Sequence, residues 1–252
     1  MGLSAQDITS LDQLYDALLD SRTRIPVLIP SFNNPTYLRQ FLSQMQFRKN
    51  LHPIVVDNAS TYPKMLELLS DLDGCGINVV KFNRNFGPHF LRDHSEFLEL
   101  MPRYFCLSDP DLQLNSKLPE DFLSTLMSIS EEFAVPKVGF ALDIGDSKDF
   151  RDHTFQVGKR NYKILQWEKK FWKVKLHSKS GVPIYRAHLD TTFALYDKIR
   201  FSNSNFYSAV RVAGVFTARH LPWYKDSIVP NEELSYYSAT AVTSTYSSAS
   251  GE

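Results

Sequence analysis

The sequence is poor in cysteine, in net charge and in long apolar runs. Its two cysteines, Cys75 and Cys106, match no zinc or iron–sulfur spacing and are expected as free thiols in a reducing compartment. Lys plus Arg and Asp plus Glu each number 28, so no net charge favours nucleic acid as a partner. The first residues lack a basic segment followed by an apolar core, and no apolar run approaches the ~18 residues of a membrane span. We therefore expect a cytoplasmic protein, with at most peripheral association with the inner face of a membrane.

Two nucleotide-binding motifs are also absent. No GxGxxG follows the first predicted strand, which disfavours a dinucleotide-binding Rossmann domain. No GxxxxGK[ST] is present either, so phosphate binding by a P-loop is not supported.

From residue 25 the pattern alternates between buried strands and amphipathic helices. Hydrophobic residues make up 43% of the chain, enough for a substantial core. A helical stripe at 7–20 comes first, and strands are predicted at 25–32, 52–60, 77–83, 104–109 and 137–143, with helices between them. Five such repeats predict an α/β fold with a mostly parallel central sheet flanked by helices.

Each of the first four strands ends in polar residues. The carboxyl ends of parallel strands meet at one edge of a sheet, so these groups are expected to share a crevice and contact one ligand. They are Ser31, Asn33 and Asn34 after the first strand, Asp57 and Asn58 after the second, Arg84, Asn85 and Gly87 after the third, and Asp109 and Asp111 after the fourth.

The stretch from Tyr104 to Leu114 contains two carboxylates separated by a rigid proline, Asp109-Pro110-Asp111. Mg²⁺ and Mn²⁺ prefer oxygen ligands and keep positions for water and substrate phosphates, so one or two carboxylates suffice to hold them. Taken alone, the motif is also consistent with a turn carrying two solvated acids.

Four segments, in this order, carry a family resemblance: PVLIPSFNN, VVDNAS, NRNFGPHFLRD and LSDPDL. Through them, residues 24–143 resemble the nucleotide-sugar-binding half of a GT-A fold glycosyltransferase of the family 2 type. The resemblance implies a GT-A type sheet and a nucleoside diphosphate sugar, with UDP favoured, as the donor. It also implies that 144–234 is a smaller, β-rich half for the acceptor. Residues 1–23 are then an N-terminal helix and 235–252 the end of a helix and a flexible tail, all within one compact domain.

The resemblance also assigns site residues. It implies that Asp57 accepts a hydrogen bond from the base, although an acid capping the next turn is the alternative. It further implies that Asp109 and Asp111 form the D-x-D metal site for Mn²⁺ or Mg²⁺, with Asp111 the direct ligand and Asp109 nearer the ribose. The remaining donor-binding positions are Pro30, Ser31 and Asn33 around the base and ribose, Arg84, Asn85 and Gly87 along the nucleotide, and Arg92 near the phosphates.

The second half supplies three further candidates. Asp190 stands about where inverting members of the family place the general base, with a turn acid or a sugar contact as the alternatives, and His188 is a weaker candidate. His220 resembles a further metal ligand, or is a structural histidine. Trp223 and Tyr224 fit either a mobile flap over the diphosphate or ordinary core aromatics.

Seven Lys or Arg residues interleaved with aromatics lie between Lys159 and Lys175, with Glu168 as the one acid. A solvated, charged β-ribbon is the simpler interpretation, while binding of an acidic glycan, a lipid diphosphate or nucleic acid stays open.

Together these features and the resemblance predict a metal-dependent glycosyltransferase acting on a hydroxyl of a glycan or lipid-linked acceptor. The fold is shared by inverting and retaining enzymes, and the position of Asp190 alone favours inversion, while a role in polysaccharide assembly is implied by the resemblance only. The Glu-Asp pair that many family 2 enzymes place before an Arg-rich helix is absent, which leaves the base open. The alternatives are a nucleotidyltransferase, whose Gly-rich basic loop is missing from PSFNNPTY, and a nucleotide-sugar-binding protein without turnover.

Overall fold

The computed structural model describes residues 5–21, 23–46 and 48–240. The α-helices are α1 Ala5–Leu19, α2 Pro35–Met45, α3 Pro63–Gly74, α4 Phe90–Asp93, α5 Ser95–Leu100, α6 Phe122–Phe133, α7 Ile164–Glu168 and α8 Asn231–Thr240. The strands are β1 Ile25–Ser31, β2 Leu51–Asp57, β3 Asn78–Lys81, β4 Tyr104–Leu107, β5 Leu112–Leu114, β6 Lys137–Phe140, β7 Thr154–Val157, β8 Arg160–Lys163, β9 Lys175–Leu176, β10 Ile184–Arg186, β11 Ala194–Asp197, β12 Val210–Val212 and β13 Ala218–His220.

The main sheet has nine strands in the order β3-β2-β1-β4-β11-β6-β12-β10-β9. Strands β3, β2, β1 and β4 are parallel neighbours, and β1 pairs with β2 from Ile25↔Leu51 to Ser31↔Asp57. Strands β11 and β10 run against the other seven. The predicted α/β class, with a mostly parallel central sheet, is confirmed.

Both faces of the sheet are covered, as the near-continuous apolar strands predict. Successive side chains of β1 alternate, so that Val27 and Ile29 pack with α2, α3 and α6 while Leu28 packs with α1, α4 and α5. All three are fully buried. Burial of each such side chain stabilises the fold by roughly 1.5–3 kcal/mol before the cost of ordering the chain.

Strands from the second half of the chain continue the same sheet. β11 lies between β4 and β6 and runs opposite to both, so its amino end lies beside the carboxyl end of β4. β9 and β10 form an antiparallel hairpin whose connection contains Ser180 and Gly181. The two remaining pairs, β5–β13 and β7–β8, are short antiparallel ribbons outside the main sheet.

The β-ribbon expected over Lys159 to Lys175 is wrong for most of that stretch. Only 160–163 and Lys175, the first residue of β9, pair as strands, and the chain between them forms α7 and a 3-10 helix over 169–172. The apolar side chains at Ile164 and Trp167 recur at helical spacing and pack with Phe150, Phe155 and Tyr224, so tertiary packing favours a helix here.

Three smaller points bear on the predicted elements. The single helix expected after the third strand is broken into α4 and α5 at His94, which has extended backbone (φ −136°, ψ 97°) and packs its ring against Phe86. The flexible end predicted at 241–252 lies outside the described residues. Within the described ranges, none of the helices has the length and apolar character needed to cross a membrane.

Candidate active site

A crevice lies where β1, β2 and β4 end and β11 begins. Asp109 follows β4, and its backbone N–H donates to the carbonyl of Thr191, 3.0 Å away, just before β11. The Thr191 hydroxyl donates to Asp109 Oδ2 at 2.9 Å. The antiparallel insertion of β11 therefore fixes one carboxylate of the D-x-D and brings the segment that contains Asp190 beside it.

The small β5–β13 ribbon brings His220 to the second carboxylate. Leu112 of β5 pairs with His220 of β13, and the Asp111 carbonyl accepts a hydrogen bond from the N–H of Leu221 at 2.9 Å. His220 Nε2 then lies 3.3 Å from Asp111 Oδ2. Strand pairing over a separation of more than 100 residues thus joins the two predicted metal ligands.

Two buried atoms of this pair lack a hydrogen-bond partner. Asp111 Oδ1 and His220 Nδ1 are each inaccessible to solvent and make no hydrogen bond. An unpaired buried carboxylate oxygen costs free energy unless a ligand satisfies it. Within the described ranges, no group of three or more His, Cys, Asp or Glu side chains is placed so that it could hold a metal ion. Asp111 and His220 alone are therefore at most a partial ligand set.

The charges of the site perturb one another. Burial, reinforced by the neighbouring Asp111 carboxylate, raises the pKa of Asp109 well above its usual range. Burial lowers the pKa of His220, but the attraction of Asp111 and Asp109 outweighs burial and leaves that pKa above its ordinary value. The two carboxylates repel each other, and a positive charge between them relieves that repulsion.

Asp190 lies at the open side of the crevice, with 55% of its side chain exposed. Its Oδ1 is 2.6 Å from Nε2 of His89, which precedes α4, and the two form a hydrogen bond. The fully buried Lys137 donates to the backbone carbonyls of Leu189 at 2.6 Å and Asp190 at 3.1 Å. These contacts hold both the backbone and the side chain of Asp190.

The residues after β1 and β2 form a second part of the crevice. β1 separates β2 from β4, so the ends of β2 and β4 are about 10 Å apart, the width of two strand spacings. Asp57 accepts hydrogen bonds from the backbone N–H of Ser60 at 3.2 Å, and burial raises its pKa in spite of them. Asp57 thus caps the turn after β2, the alternative stated for it above.

The side chain of Asn33 makes three hydrogen bonds to the protein. Its Oδ1 accepts from the N–H groups of Thr61 and Tyr62 at 2.8 and 2.9 Å, and its Nδ2 donates to Thr240 of α8 at 3.0 Å. The neighbouring Ser31 donates its hydroxyl to the carbonyl of Ile29 at 3.2 Å. Pro30 is buried in β1. Asn34 precedes α2 as predicted, but its side chain accepts from Phe32 instead of capping the helix.

The residues after β3 lie mainly at the surface. Arg84 pairs with Asp7 of α1 at 3.2 Å and stacks on Phe86, with 54% of its side chain exposed. Asn85 accepts from the N–H of Gly87 at 2.8 Å, and Gly87 has a φ of +75° that favours glycine. Arg92 pairs with Asp93 and donates to the Tyr207 hydroxyl.

Of the two aromatics assigned to a flap, Tyr224 is a core residue. It is fully buried and donates its hydroxyl to the Asp143 carbonyl at 3.1 Å. Trp223 is half-buried, with its ring edge-on to His220 at 4.7 Å between centroids. His188 is exposed, its ring lies 6.1 Å from that of Tyr207 between centroids, and its carbonyl accepts from Arg211.

Sequence reasoning missed several polar residues of the site. Thr191 directly follows Asp190, and His89 lies within the segment NRNFGPHFLRD, but neither was singled out. Lys137 and the Glu168–Arg211 pair had no local sequence signal. Arg211 donates to Glu168 at 2.5 Å, with 6% and 1% of the two side chains exposed. Burial raises the pKa of Glu168 while Arg211 opposes that rise, and Glu168 is close enough to influence His220.

A cavity of about 240 Å³ lies along the β5–β13 ribbon. Neighbouring side chains of a strand point to opposite faces, so Arg219 lines this cavity while His220 faces the carboxylates. None of the predicted site residues lines it. Its walls are Gln113, Leu114, Asn115, Ser116, Asp143, Thr217 and Arg219.

The fold and the site define an α/β protein with an acidic crevice at the carboxyl edge of its sheet. No family model matches the sequence, and no curated protein matches it. Similar solved structures include TarS of S. aureus, with a TM-score of 0.44 and 14% identity over 88% of this chain and 40% of TarS. TarS 1-349 in complex with UDP gives a TM-score of 0.39 and 15% identity over 69% of this chain and 47% of that one. GalNAc-T7 with UDP, GalNAc and Mn²⁺ gives 0.48 and 11%, over 85% and 48%. The chain spans less than half the length of each of these proteins.

Proposed function

We propose that the chain is a glycosyltransferase that moves a sugar from a nucleoside diphosphate sugar, with UDP favoured, to a hydroxyl of a glycan or lipid-linked acceptor. The observation that carries the proposal is the contact between Asp111 and His220 beside the strand ends, with two buried atoms of this pair left without partners. Asp190 stands beside this group on an independently held segment.

The donor nucleotide would lie along the strand ends, from the β2 loop to the β4 loop. Asp57 would accept an N–H from the base in exchange for its contact with Ser60, and Ser31 and Pro30 would border the base and ribose. Asn33 would shape this loop through its bonds to the α3 and α8 termini, since both lone pairs of its carbonyl oxygen are already used. The remaining nucleotide contacts in this proposal are Arg84, Asn85, Gly87 and Arg92.

Asp111 and His220 would hold a divalent cation of the Mn²⁺ or Mg²⁺ class, and Asp109 would complete the set if its carboxylate moved toward them. Two carboxylates and one neutral imidazole suit Mn²⁺, and Mg²⁺ requires only one or two carboxylates when substrate phosphates complete its shell. Bound there, the cation would act as a Lewis acid that offsets charge on the leaving diphosphate. The unpaired Asp111 Oδ1 would gain the partner that it lacks.

Asp190 would act as the general base. Its carboxylate would take the proton of the acceptor hydroxyl while the hydroxyl oxygen forms a bond to the anomeric carbon, on the side opposite the diphosphate. The bond from this carbon to the diphosphate oxygen breaks, and its electron pair leaves with the nucleoside diphosphate, so the configuration inverts. His89 would position the Asp190 carboxylate through their hydrogen bond, and Lys137 would fix the backbone beneath it.

The proposal is tested by thermal shift and calorimetry with UDP, GDP, CMP and TDP, each with and without Mn²⁺. We expect one nucleotide to raise Tm by about 5 °C or more at a hundredfold excess over Kd, and only with the metal. Asp111→Ala should abolish that shift but keep a folded protein, because Asp111 Oδ1 makes no hydrogen bond. The donor sugar is then identified by repeating the binding assay with nucleotide sugars and by measuring the nucleotide that each of them releases.

Asp71→Ala is the matched control, because Asp71 is exposed on α3, away from the crevice. It should bind nucleotide as the wild type does. The proposal fails if no nucleotide shifts the wild type, or if Asp111→Ala retains metal-dependent binding.

A further inference from the structure

The segment 153–189 concentrates positive charge in a chain of zero net charge. It holds nine Lys or Arg against a single acid, so the rest of the chain carries a net charge of −8. The acid, Glu168, is buried and bound to Arg211 of β12 and therefore neutralises none of the surface charge. Asp152, just before the segment, pairs with Lys163 at 3.0 Å and compensates part of this charge. The remaining excess of positive charge attracts anions and is screened by salt.

Most of these charges are exposed. We call this surface the basic face, formed by Lys159, Arg160, Lys163, Lys169, Lys170, Lys173, Lys175, Lys179 and Arg186. Lysines on an edge strand also prevent edge-to-edge pairing, but β9 contributes only Lys175 to that role. Mutual repulsion among the other Lys and Arg side chains of the basic face lowers the free energy of unfolding, and binding of an anion offsets this loss.

The basic face is attached directly to the crevice. Glu168 precedes Lys169, and its bond to Arg211 fixes the end of α7 against β12. The β7–β8 ribbon and α7 also pack against Trp223, whose ring contacts His220. The basic face is therefore connected to the proposed transfer site through α7 and Trp223.

The aromatic rings of this segment are committed to packing. Trp167 contacts Phe155, Tyr162 and Phe171 edge-on, and the Lys170 ammonium lies 3.2 Å from the Tyr162 ring centroid and 4.3 Å from that of Trp167. Single-stranded nucleic acid binds to open aromatic platforms, which these rings do not offer. The surface presents charge, which favours an anionic chain held through its phosphates or carboxylates.

We propose that the basic face binds the acceptor, and that the acceptor is a glycan chain bearing regularly spaced phosphate or carboxylate groups. This inference rests on the proposed glycosyl transfer and names its acceptor class. Its binding is independent of donor and metal, so it is measured separately from the nucleotide site.

The test is fluorescence anisotropy with labelled polygalacturonate, a carboxylate glycan, in 50 and 200 mM NaCl without nucleotide or metal. Neutral dextran, sugar-free polyphosphate, a single-stranded oligonucleotide and vesicles containing phosphatidylglycerol are the comparison ligands. We expect polygalacturonate to bind at low salt and to weaken by about tenfold or more at high salt, as counterion release requires. Dextran should not bind.

The variants compare equal charge changes at two places. Lys169→Glu with Lys173→Glu should weaken polygalacturonate binding by about tenfold or more. The control is Lys49→Glu with Lys117→Glu, two exposed lysines outside the segment. This double variant has the same change in net charge, but it should leave the affinity for polygalacturonate within about twofold of the wild type, because distant charges are screened. Thermal unfolding confirms that both variants are folded.

Several results would overturn the inference: no polygalacturonate binding, equal loss in both double variants, or binding of polyphosphate, oligonucleotide or vesicles as tight as that of polygalacturonate. If the nucleotide titration succeeds and this test fails, the acceptor is neutral and the transferase proposal stands. If this test succeeds and no nucleotide binds, the basic face is an anionic-glycan surface on a protein without that donor site.

Discussion

Lys137 is a buried amine at the centre of the site. Its side chain is fully inaccessible, lies over the rings of Tyr196 and Phe206, and donates to two backbone carbonyls. Burial lowers its pKa to about 7, although Asp190 and Asp109 oppose that shift. A neutral amine still has two N–H groups, so both hydrogen bonds persist when the proton is lost.

This shift makes stability depend on pH. The folded protein loses the Lys137 proton near pH 7 whereas the unfolded chain keeps it to about 10.5, so the free energy of unfolding rises with pH across that window. Compared with Lys137→Met, the wild type should gain about 2 kcal/mol between pH 7 and pH 9. Urea unfolding of both proteins at the two pH values measures the difference. Parallel curves with no relative gain would show that the amine titrates normally.

The hydrogen bond between His89 and Asp190 predicts unequal kinetic effects. Asp190→Asn should lower kcat by about a hundredfold or more, since a general base contributes that much. His89→Gln should lower kcat by about tenfold with the donor KM unchanged, because it alters only the position of the base.

His188→Gln is the control for that experiment, because His188 is a nearby exposed histidine whose ring lies against Tyr207. If His89→Gln and His188→Gln give the same kcat and KM, the hydrogen bond to Asp190 has no positioning role.

Strand β11 is the element that completes the crevice. It runs between β4 and β6, and the turn before it approaches β6 so closely that only a glycine fits there. A Cβ at Gly139 would lie 2.6 Å from Leu189 Cδ1 and from the Phe193 carbonyl oxygen, and 2.7 Å from Ala194 Cβ. The missing side chain thus allows the segment that carries Asp190 to lie against the sheet.

Gly139→Ala should therefore weaken both the fold and the site. Overpacking should cost about 1–3 kcal/mol in chemical denaturation, and the displaced segment should reduce kcat more than nucleotide affinity. Gly74→Ala, at a helical position with open space around it, should change stability by less than about 1 kcal/mol. Equal stability of the two variants would show that 189–194 moves away at no cost.

At the scale of the whole molecule, the two halves predicted from the sequence share one sheet. β12, β10 and β9 extend the surface beyond β6, and α8 returns to the β1 loop through the Thr240 contact with Asn33. The basic face and the acidic crevice therefore lie on a common scaffold. The segregation of charge between them is invisible in the zero net charge of the chain.

The sequence by itself determined the strands, the first helices and the place of the acids. Apolar runs such as 25–31 and 104–107 can bury both faces of a strand, and Pro35 or Pro63 starts a helix wherever the chain lies, so these features depend on neighbours in sequence. The Asp109-Pro110-Asp111 turn follows from the same local chemistry.

Only the tertiary structure decided which distant groups meet. Pairing of β5 with β13 brings Asp111 to His220. The inserted β11 brings Asp190 to His89, and the packing of α7 brings Glu168 to Arg211. Local pattern also misjudged 164–172 as a ribbon, because helical packing against the aromatic cluster outweighed strand propensity. These contacts depend on strand order and direction, which are set by long-range burial of the whole core and leave no periodic signal in any single segment.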